Sequence, residues 1–531
     1  MFDLCQQPCV SVVIDGRPTE VSVREVLLRA HEIDGLALED PLQAVAIFRH
    51  LLLPIALHAL GLPRTGHEWA ARWKARRLDG TAITEYLTKR VGRFDLFHPE
   101  RPFAQVAGLR TAKNESKPAS LLMPPVATGN NVPLFTARTE ADPPALTPAE
   151  AARALLSAHC WDTAAIKSGA VGDPQVRNGK TTGNPTGPLG QLGVIVPMGA
   201  TLAETLMLNT PIAPQGLRPG DRPQWDADAP ATAEWRTRAP SGLLDLLTWQ
   251  SRRIRLIPEP DPSGPIVRRV VLAAGDRLDP LPSYEPHTAW RAEQRATAKS
   301  GPRRPIRHQP GRGAWRGLTS LLATGEATNR GESSSELMTQ VGTLYAERLV
   351  PADLRLQVLC VGIAYGNQSA VVEDVLVDLI PLPITALADG DPVRELLLRV
   401  VQQAENLRDA ANRLGDELRR AAGADKLPWD KGLRLGEALV HGLGGTARRL
   451  LTGLQREPGR VDAADDAWCR AARRLAWEIV EPALAAVPPA AFAGRRVTDK
   501  LAHRPALTEA LFRHRLNDIL GPPPATAKAG E

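Results

Sequence analysis

The chain has 531 residues, 43% of them hydrophobic and 23% charged, a mix that excludes wholesale disorder and a length that calls for two or three domains rather than one core. Its formal net charge of +6 is compatible with a polyanionic partner but does not require one. Five scattered cysteines exclude a disulfide framework, and no basic segment leads into an apolar run at the N-terminus, so a reduced, cytoplasmic setting is expected.

Of the 65 basic residues 11 are Lys and 54 Arg. Arg presents a planar fork suited to phosphate, although a GC-rich genome inflates Arg as well. Cys5 and Cys9 are spaced as a metal-binding pair would be, but no second Cys/His pair follows, so no zinc or other metal is expected.

Taken in chain order, Val10–Ile14 and Thr19–Val23 flank the turn Asp15-Gly16-Arg17-Pro18 and predict a β-hairpin. Helical patterns follow at Val23–Ala30 and Leu42–Leu60. The second belongs to an apolar stretch broken by Arg49, His50, Pro54 and His58, and predicts a buried helix pair rather than a membrane span. After a long irregular segment, Pro99–Pro144, a helix is predicted from Pro148 to Ala158. Thr147 is its N-cap and Glu150 closes a capping box.

The many Gly and Pro residues from 169 to 199 predict a surface loop. Residues 257–265 and 299–313 predict further connectors, the second carrying Arg303, Arg304, Arg307 and Arg312. Leu354–Ala364 and Ala370–Ile380 predict a second hairpin, turning through Tyr365-Gly366-Asn367-Gln368-Ser369. Beyond Asp391-Pro392 the residues Val400, Ala404, Leu407, Ala411, Leu414 and Leu418 recur at helical spacing. Similar patterns at 431–455, 463–486 (Trp468, Ala472, Leu475, Ile479) and 497–520, the last kinked by Pro505, complete a predicted four-helix bundle. The fold class is α+β. Residues 1–385 form a large mixed domain with long loops and β-hairpins, 386–521 form the bundle, and 522–531 a disordered tail.

No catalytic motif stands out. The stretch from Gly172 to Lys180-Thr181 has the wrong glycine spacing for a phosphate-binding loop and no apolar strand leading into it. The sequence holds no HExxH, GxSxG or CxxC pair, and His98, His287 and His308 are scattered as structural or solvated histidines would be. What remains are loops suited to binding. Ala165-Ile166-Lys167-Ser168-Gly169 has small residues that let backbone N–H groups approach a phosphate, or it is a solvated loop. The basic clusters Arg419-Arg420, Arg448-Arg449, Arg470 and Arg473-Arg474 line a path for a phosphate backbone, or form the wet face of the bundle.

Several segments together resemble one family, the CasA large subunit of type I-E CRISPR Cascade complexes. They are Arg93-Phe94-Asp95-Leu96-Phe97-His98-Pro99-Glu100-Arg101-Pro102-Phe103-Ala104-Gln105, Gly129-Asn130-Asn131 with Leu134-Phe135, Ile166-Lys167-Ser168-Gly169, the Leu27–Leu60 region and the Tyr365–Gln368 turn. The resemblance spans essentially the whole chain. It implies a non-catalytic protein without cofactors that reads the protospacer-adjacent motif (PAM) of double-stranded DNA through the minor groove. It further implies promotion of duplex opening and R-loop formation, and recruitment of a helicase-nuclease. The implied partners are target DNA, crRNA, the backbone and small Cascade subunits and that helicase-nuclease, with no membrane.

Residue by residue, the tip Gly366, Asn367 and Gln368 is similar to the family's glutamine wedge. Thr163, Ala164 and Ala165, followed by Lys167, are similar to its glycine loop, with Ala at two positions where the family has Gly. Arg277 is similar to its basic finger, with Arg268 and Arg269 as rivals. Asn130, Asn131 and Phe135 resemble the start of a loop that contacts the crRNA 5′ end and PAM-proximal DNA. Cys9 departs from the family, where an aromatic residue is common.

Overall fold

The computed structural model describes residues 1–123, 143–293, 302–323, 331–428, 432, 434–498 and 501–522. Asn130, Asn131, Phe135 and nearly all of the tail expected to be disordered lie outside the described residues. The chain forms two compact units, Met1–Pro310 with Ala323–Leu379, and Gly311–Leu322 with Ile380–Glu531. The basic connector expected inside the mixed domain therefore ends in a segment, Gly311–Leu322, that belongs to the bundle unit. Trp315 explains its place there: its ring meets Trp468 edge-on, centroids 6.4 Å apart.

The first unit begins with the expected hairpin, β1 (Val10–Ile14) and β2 (Arg17–Val21), in antiparallel register from Val10↔Val21 to Ile14↔Arg17. Next, the apolar stretch forms one helix, α1 (Pro41–Leu60), not two. A π-helical turn, Phe48–Leu52, sits in its middle, where the Leu53 N–H reaches back five residues to the Phe48 carbonyl. Pro54 accounts for this turn. It has no N–H, and its ring would clash with the His50 carbonyl of a regular α-helix, so the widened turn accommodates it without a break. By length and composition α1 could cross a membrane, yet 83% of its most apolar window is buried inside the protein.

The π turn also buries a charge. Arg49, 1% exposed, pairs with Glu285, and its Nε donates to His287 Nδ1 at 3.3 Å. His287 Nε2 in turn meets Asn209 Oδ1 at 3.1 Å. A buried cation is tolerable only when paired and hydrogen-bonded in this way.

Helix α2 (Pro148–Trp161) starts as expected, with Thr147 and Glu150 closing a capping box, and continues three residues beyond the predicted end. The 169–199 stretch departs from expectation. Its second half is packed, with strand β3 (Val194–Met198) buried, so only its first half resembles a surface loop. Two glycines show why composition misled. A Cβ at Gly187 would collide with the Cys160 carbonyl, and one at Gly190 with the Tyr365 hydroxyl. These glycines permit close packing rather than flexibility.

Strands β4 (Arg252–Glu259) and β5 (Ile266–Ala274) pair antiparallel, so the first three residues of the expected 257–265 connector belong to β4 and only 260–265 form the hairpin turn. The second predicted hairpin forms as β6 (Gln357–Gly366) and β7 (Val371–Pro381). Strand β6 also pairs with β3, from Gln357↔Met198 to Val361↔Val194, giving the order β7-β6-β3. One apolar core joins these elements, with Val12, Leu52, Leu155, Trp161, Val194 and Val361 among its members.

The second unit is built on α3 (Pro392–Ala421), α4 (Leu435–Arg456), α5 (Val461–Ala485) and α6 (Pro505–Leu520). All six residues expected on the α3 seam are buried. On α5 the seam runs Trp468, Ala472, Ala476, Val480, one residue past the expected Leu475 and Ile479. Pro505 does not kink the last helix. It starts it, at a position where its missing N–H leaves no bond unmade.

Candidate nucleic-acid interface

Helix α2 ends at Trp161, and the chain leaves it through Asp162, Thr163, Ala164 and Ala165. The hairpin β6–β7 brings its tip to the same place. The Ala164 N–H donates to the Ser369 carbonyl at 2.8 Å, and the Tyr365 hydroxyl donates to the Trp161 carbonyl at 2.5 Å. Burial pushes the Tyr365 phenol well above its ordinary pKa, so it stays a neutral donor. The loop and the tip, read separately in the sequence, are one substructure.

The tip is built to protrude. Asn367, Gln368 and Ser369 take φ of 36°, 58° and 59°, left-handed values that a tight turn needs and that Asn tolerates best. Asn367 and Gln368 are exposed, and Gly366 is half-buried at their base. Among the described residues neither amide has a side-chain partner, so both can donate and accept beyond the protein. Ile166, on the loop, is also exposed, at 60%.

Beneath the loop lies a charge cluster. Arg252, 1% exposed, donates through Nη2 to the carbonyls of Thr163 and Pro185, both at 2.8 Å, and through Nε to Asp162. Lys167 Nζ stands 2.7 Å from the same Asp162 carboxylate. Burial alone would raise the Asp162 carboxyl. The Lys167 ammonium and Arg252 guanidinium outweigh it and hold the group below the ordinary carboxylate range.

This geometry corrects one expectation. Lys167 is only 6% exposed and is held inward by Asp162, so its ammonium positions the loop rather than facing a ligand. Arg252 and Asp162 were missed in the sequence. Two consecutive arginines opening a strand with the apolar residues Ile254, Leu256 and Ile257 were the available signal, since buried guanidiniums demand partners.

Arg277 lies against the neighbouring loop. Its Nη2 donates to the Thr182 carbonyl at 2.7 Å, and its guanidinium stacks 4.1 Å from the Trp235 ring centroid. Its side chain is within 3.9 Å of where a Gly183 Cβ would stand. The 182–187 segment also accepts Arg252 at Pro185, and Gly187 N–H donates to the Asp162 carbonyl at 2.8 Å. Arg277 thus joins the loop cluster through shared neighbours. Its rivals are engaged elsewhere: Arg269 on Ser116, with Nε 2.7 Å from Oγ, and Arg268 beside Glu259 at 4.0 Å.

The bundle arginines divide. Arg419, Arg420, Arg449, Arg470 and Arg474 are exposed, whereas Arg473 is tied to Asn517 at 2.7 Å and to the Gly521 carbonyl. Among the described residues no group of three or more His, Cys, Asp or Glu side chains gathers as a metal site would.

Comparison with known proteins covers both units. The family model of CRISPR-associated protein Cse1 matches residues 3–479. A curated relative, CRISPR-associated protein CasA/Cse1 of Thermus thermophilus, is 30% identical over 497 residues, 90% of this chain and 91% of that protein. The crystal structure of Thermobifida fusca Cse1 superposes with a TM-score of 0.83 at 34% identity, covering 98% of both chains. A chain of a solved CRISPR RNA-guided surveillance complex shares the fold, with a TM-score of 0.69 at 23% identity over 97% of this chain and 99% of that one. A match of this extent, carried from the first hairpin into the third bundle helix, makes the chain a member of the CRISPR-associated protein Cse1 (CasA) family.

Proposed function

We propose that the protein is the non-catalytic large subunit of a type I-E CRISPR Cascade surveillance complex in the cytoplasm. In this reading it recognises the PAM of double-stranded DNA from the minor groove and starts opening of the duplex beside it. Thr163, Ala164 and Ala165 approach the groove floor, Arg277 donates to base acceptors there, and the Gly366–Gln368 tip enters the stack. Minor-groove readout is degenerate, so these contacts select a short, tolerant motif, while crRNA pairing supplies the rest of the specificity. Inserting a side chain at a base step requires a few kcal/mol of unstacking, which new hydrogen bonds from the Asn367 and Gln368 amides would offset in part.

The observation that carries this reading is the 2.8 Å bond from Ala164 to Ser369, which fixes a small-residue loop against an exposed amide-bearing tip. Groove reading and strand separation would then be one rigid act. Family membership, with a fold shared by a chain of a surveillance complex, supports assembly with crRNA and with backbone and small subunits. Recruitment of a helicase-nuclease to the opened target is part of the same proposal.

The test is a reconstituted complex carrying Asn367→Ala and Gln368→Ala, assayed for R-loop formation on duplexes with and without a PAM. R-loop formation should slow strongly while binding to a target already opened beside the PAM is retained. Unchanged rates and unchanged PAM discrimination would leave a scaffold role as the better account. Nuclease or ATPase activity in the purified chain would overturn the non-catalytic assignment.

A further inference from the structure

A cavity of about 100 Å³ opens in the first unit and is lined by His50, Arg93, Phe103, Trp225, Thr248 and Gln250, among others. Two of its polar side chains are more than nine-tenths buried and lack protein partners on that side. Gln250 is 8% exposed, and its side-chain amide makes no hydrogen bond among the described residues. His50 is 4% exposed; its Nδ1 faces Cys160 Sγ at 3.7 Å, while Nε2 has no protein partner among the described residues. Burial, with His159 and Arg49 beside it, keeps this imidazole well below its ordinary pKa and therefore neutral at pH 7. Polar side chains that line a cavity without protein partners are open to a ligand that supplies them.

The remaining lining suggests what that is. Phe103 and Trp225 add aromatic surface, their ring centroids 6.1 Å apart. Arg93 is half-buried and forms no ion pair among the described residues, whereas neighbouring Arg101 is committed to the Asp228 carbonyl at 2.7 Å. An amide and a neutral imidazole that donate and accept, aromatic walls and one unpaired guanidinium fit a flat ring with a hydrogen-bonding edge joined to an anion. That is the chemistry of a nucleotide. At about 10–15 Å³ per water, the cavity has room for about seven to ten waters, enough for a pyrimidine ring and close to the limit for a purine.

We propose that this cavity binds a single pyrimidine nucleotide, its base edge on Gln250 and His50 and its phosphate on Arg93. The source is either an unstacked base of a single strand or a free mononucleotide. The inference does not rest on duplex opening by the hairpin tip and can fail or stand independently of it.

The experiment uses the full chain and calorimetric titration with uridine monophosphate, adenosine monophosphate, ribose 5-phosphate, inorganic phosphate and a short oligothymidylate. Uridine monophosphate should bind most tightly of the four small molecules and protect the 101–105 and 227–231 backbones from hydrogen exchange. Arg93→Ala should weaken it about tenfold or more, the loss expected for one charge-assisted bond, and Gln250→Leu about threefold to tenfold, the loss expected for a neutral one. Hydrogen exchange on the parent keeps the question decidable if Gln250→Leu unfolds. Oligothymidylate binding at the same segments assigns the site to a strand base, and its failure there to a free nucleotide. No protection by uridine monophosphate overturns the proposal. Equal binding of inorganic phosphate or ribose 5-phosphate reduces the site to an anion pocket, and equal binding of adenosine monophosphate removes the pyrimidine assignment.

Discussion

Tyr365 sits at the root of the hairpin tip and donates its hydroxyl to the Trp161 carbonyl, 2.5 Å away and 204 residues earlier in the chain. The bond spans from β6 to the last turn of α2, just before the chain enters the Thr163–Ala165 loop. Tyr365→Phe deletes the donor and leaves a buried carbonyl unpaired, a loss of about 1–3 kcal/mol. Gly190→Ala presses a methyl group into the same phenol, with an overpacking penalty of about 1–3 kcal/mol. Both variants should melt earlier, and the Ala164 amide should exchange faster with solvent in both. If Tyr365→Phe leaves that exchange rate untouched, the phenol is not what holds the loop to the tip.

The Asp162 cluster yields a second prediction. One carboxylate serves two buried cations, so Asp162→Asn strands Lys167 and Arg252 without a counter-charge. Removing one partner of a buried pair typically destabilises by about 3–5 kcal/mol. The pH dependence follows from the direction of the shift. Asp162 is held below the ordinary carboxylate range in the folded protein. Its stabilisation is therefore complete above that range and is lost as the pH falls through the depressed folded value. Thermal melting at neutral pH should separate Asp162→Asn widely from the parent, and a neutral-pH difference within error would remove the cluster from this role.

Much of this architecture was legible because its signals are local. Thr147 and Glu150 cap α2 through a four-residue pattern, and the Tyr365–Ser369 turn is marked by Gly and Asn between two apolar runs. The α3 seam reads directly from its spacing. What escaped depends on partners distant in sequence. Arg49 looks like an interruption of an apolar helix until Glu285 and His287 arrive more than 230 residues later. Lys167 reads as a loop cation, and nothing near it announces Arg252 or the inward turn toward Asp162. Gly187 and Gly190 read as flexible because composition cannot distinguish a glycine that bends from one against which another chain segment packs.

Buried histidines set an acid limit. His159 is fully buried; burial above all lowers its pKa to about 4, with its Nε2 2.9 Å from the Ala104 carbonyl. Burial also lowers His50, His287 and His308. A base whose folded pKa lies below its unfolded value takes up protons on unfolding. Stability should thus fall as the pH drops below about 6.5, with His159 contributing down to about 4. Each such histidine adds up to about 1.4 kcal/mol per pH unit to that slope. Melting profiles from pH 7 to 4 should be steeper for the parent than for His159→Gln, which removes one titrating group. Parallel profiles would assign the acid sensitivity to other groups.

Arg277 separates two ways of contacting DNA. Its guanidinium is stacked on Trp235 and anchored at Thr182, which leaves a fixed fork rather than a swinging charge. Arg277→Lys keeps the positive charge but removes the planar stack, worth about 0.5–2 kcal/mol where it is shielded from water. If Arg277 donates to base acceptors, the reconstituted complex carrying lysine should lose PAM discrimination while the slope of log affinity against log salt stays constant. If it only neutralises a phosphate, Arg277→Lys should leave discrimination intact, and Arg277→Ala should lower the salt slope by about one ion. Affinity measured on PAM and non-PAM duplexes across a salt series decides between them. The base-reading role requires that lysine fail at discrimination and succeed at charge.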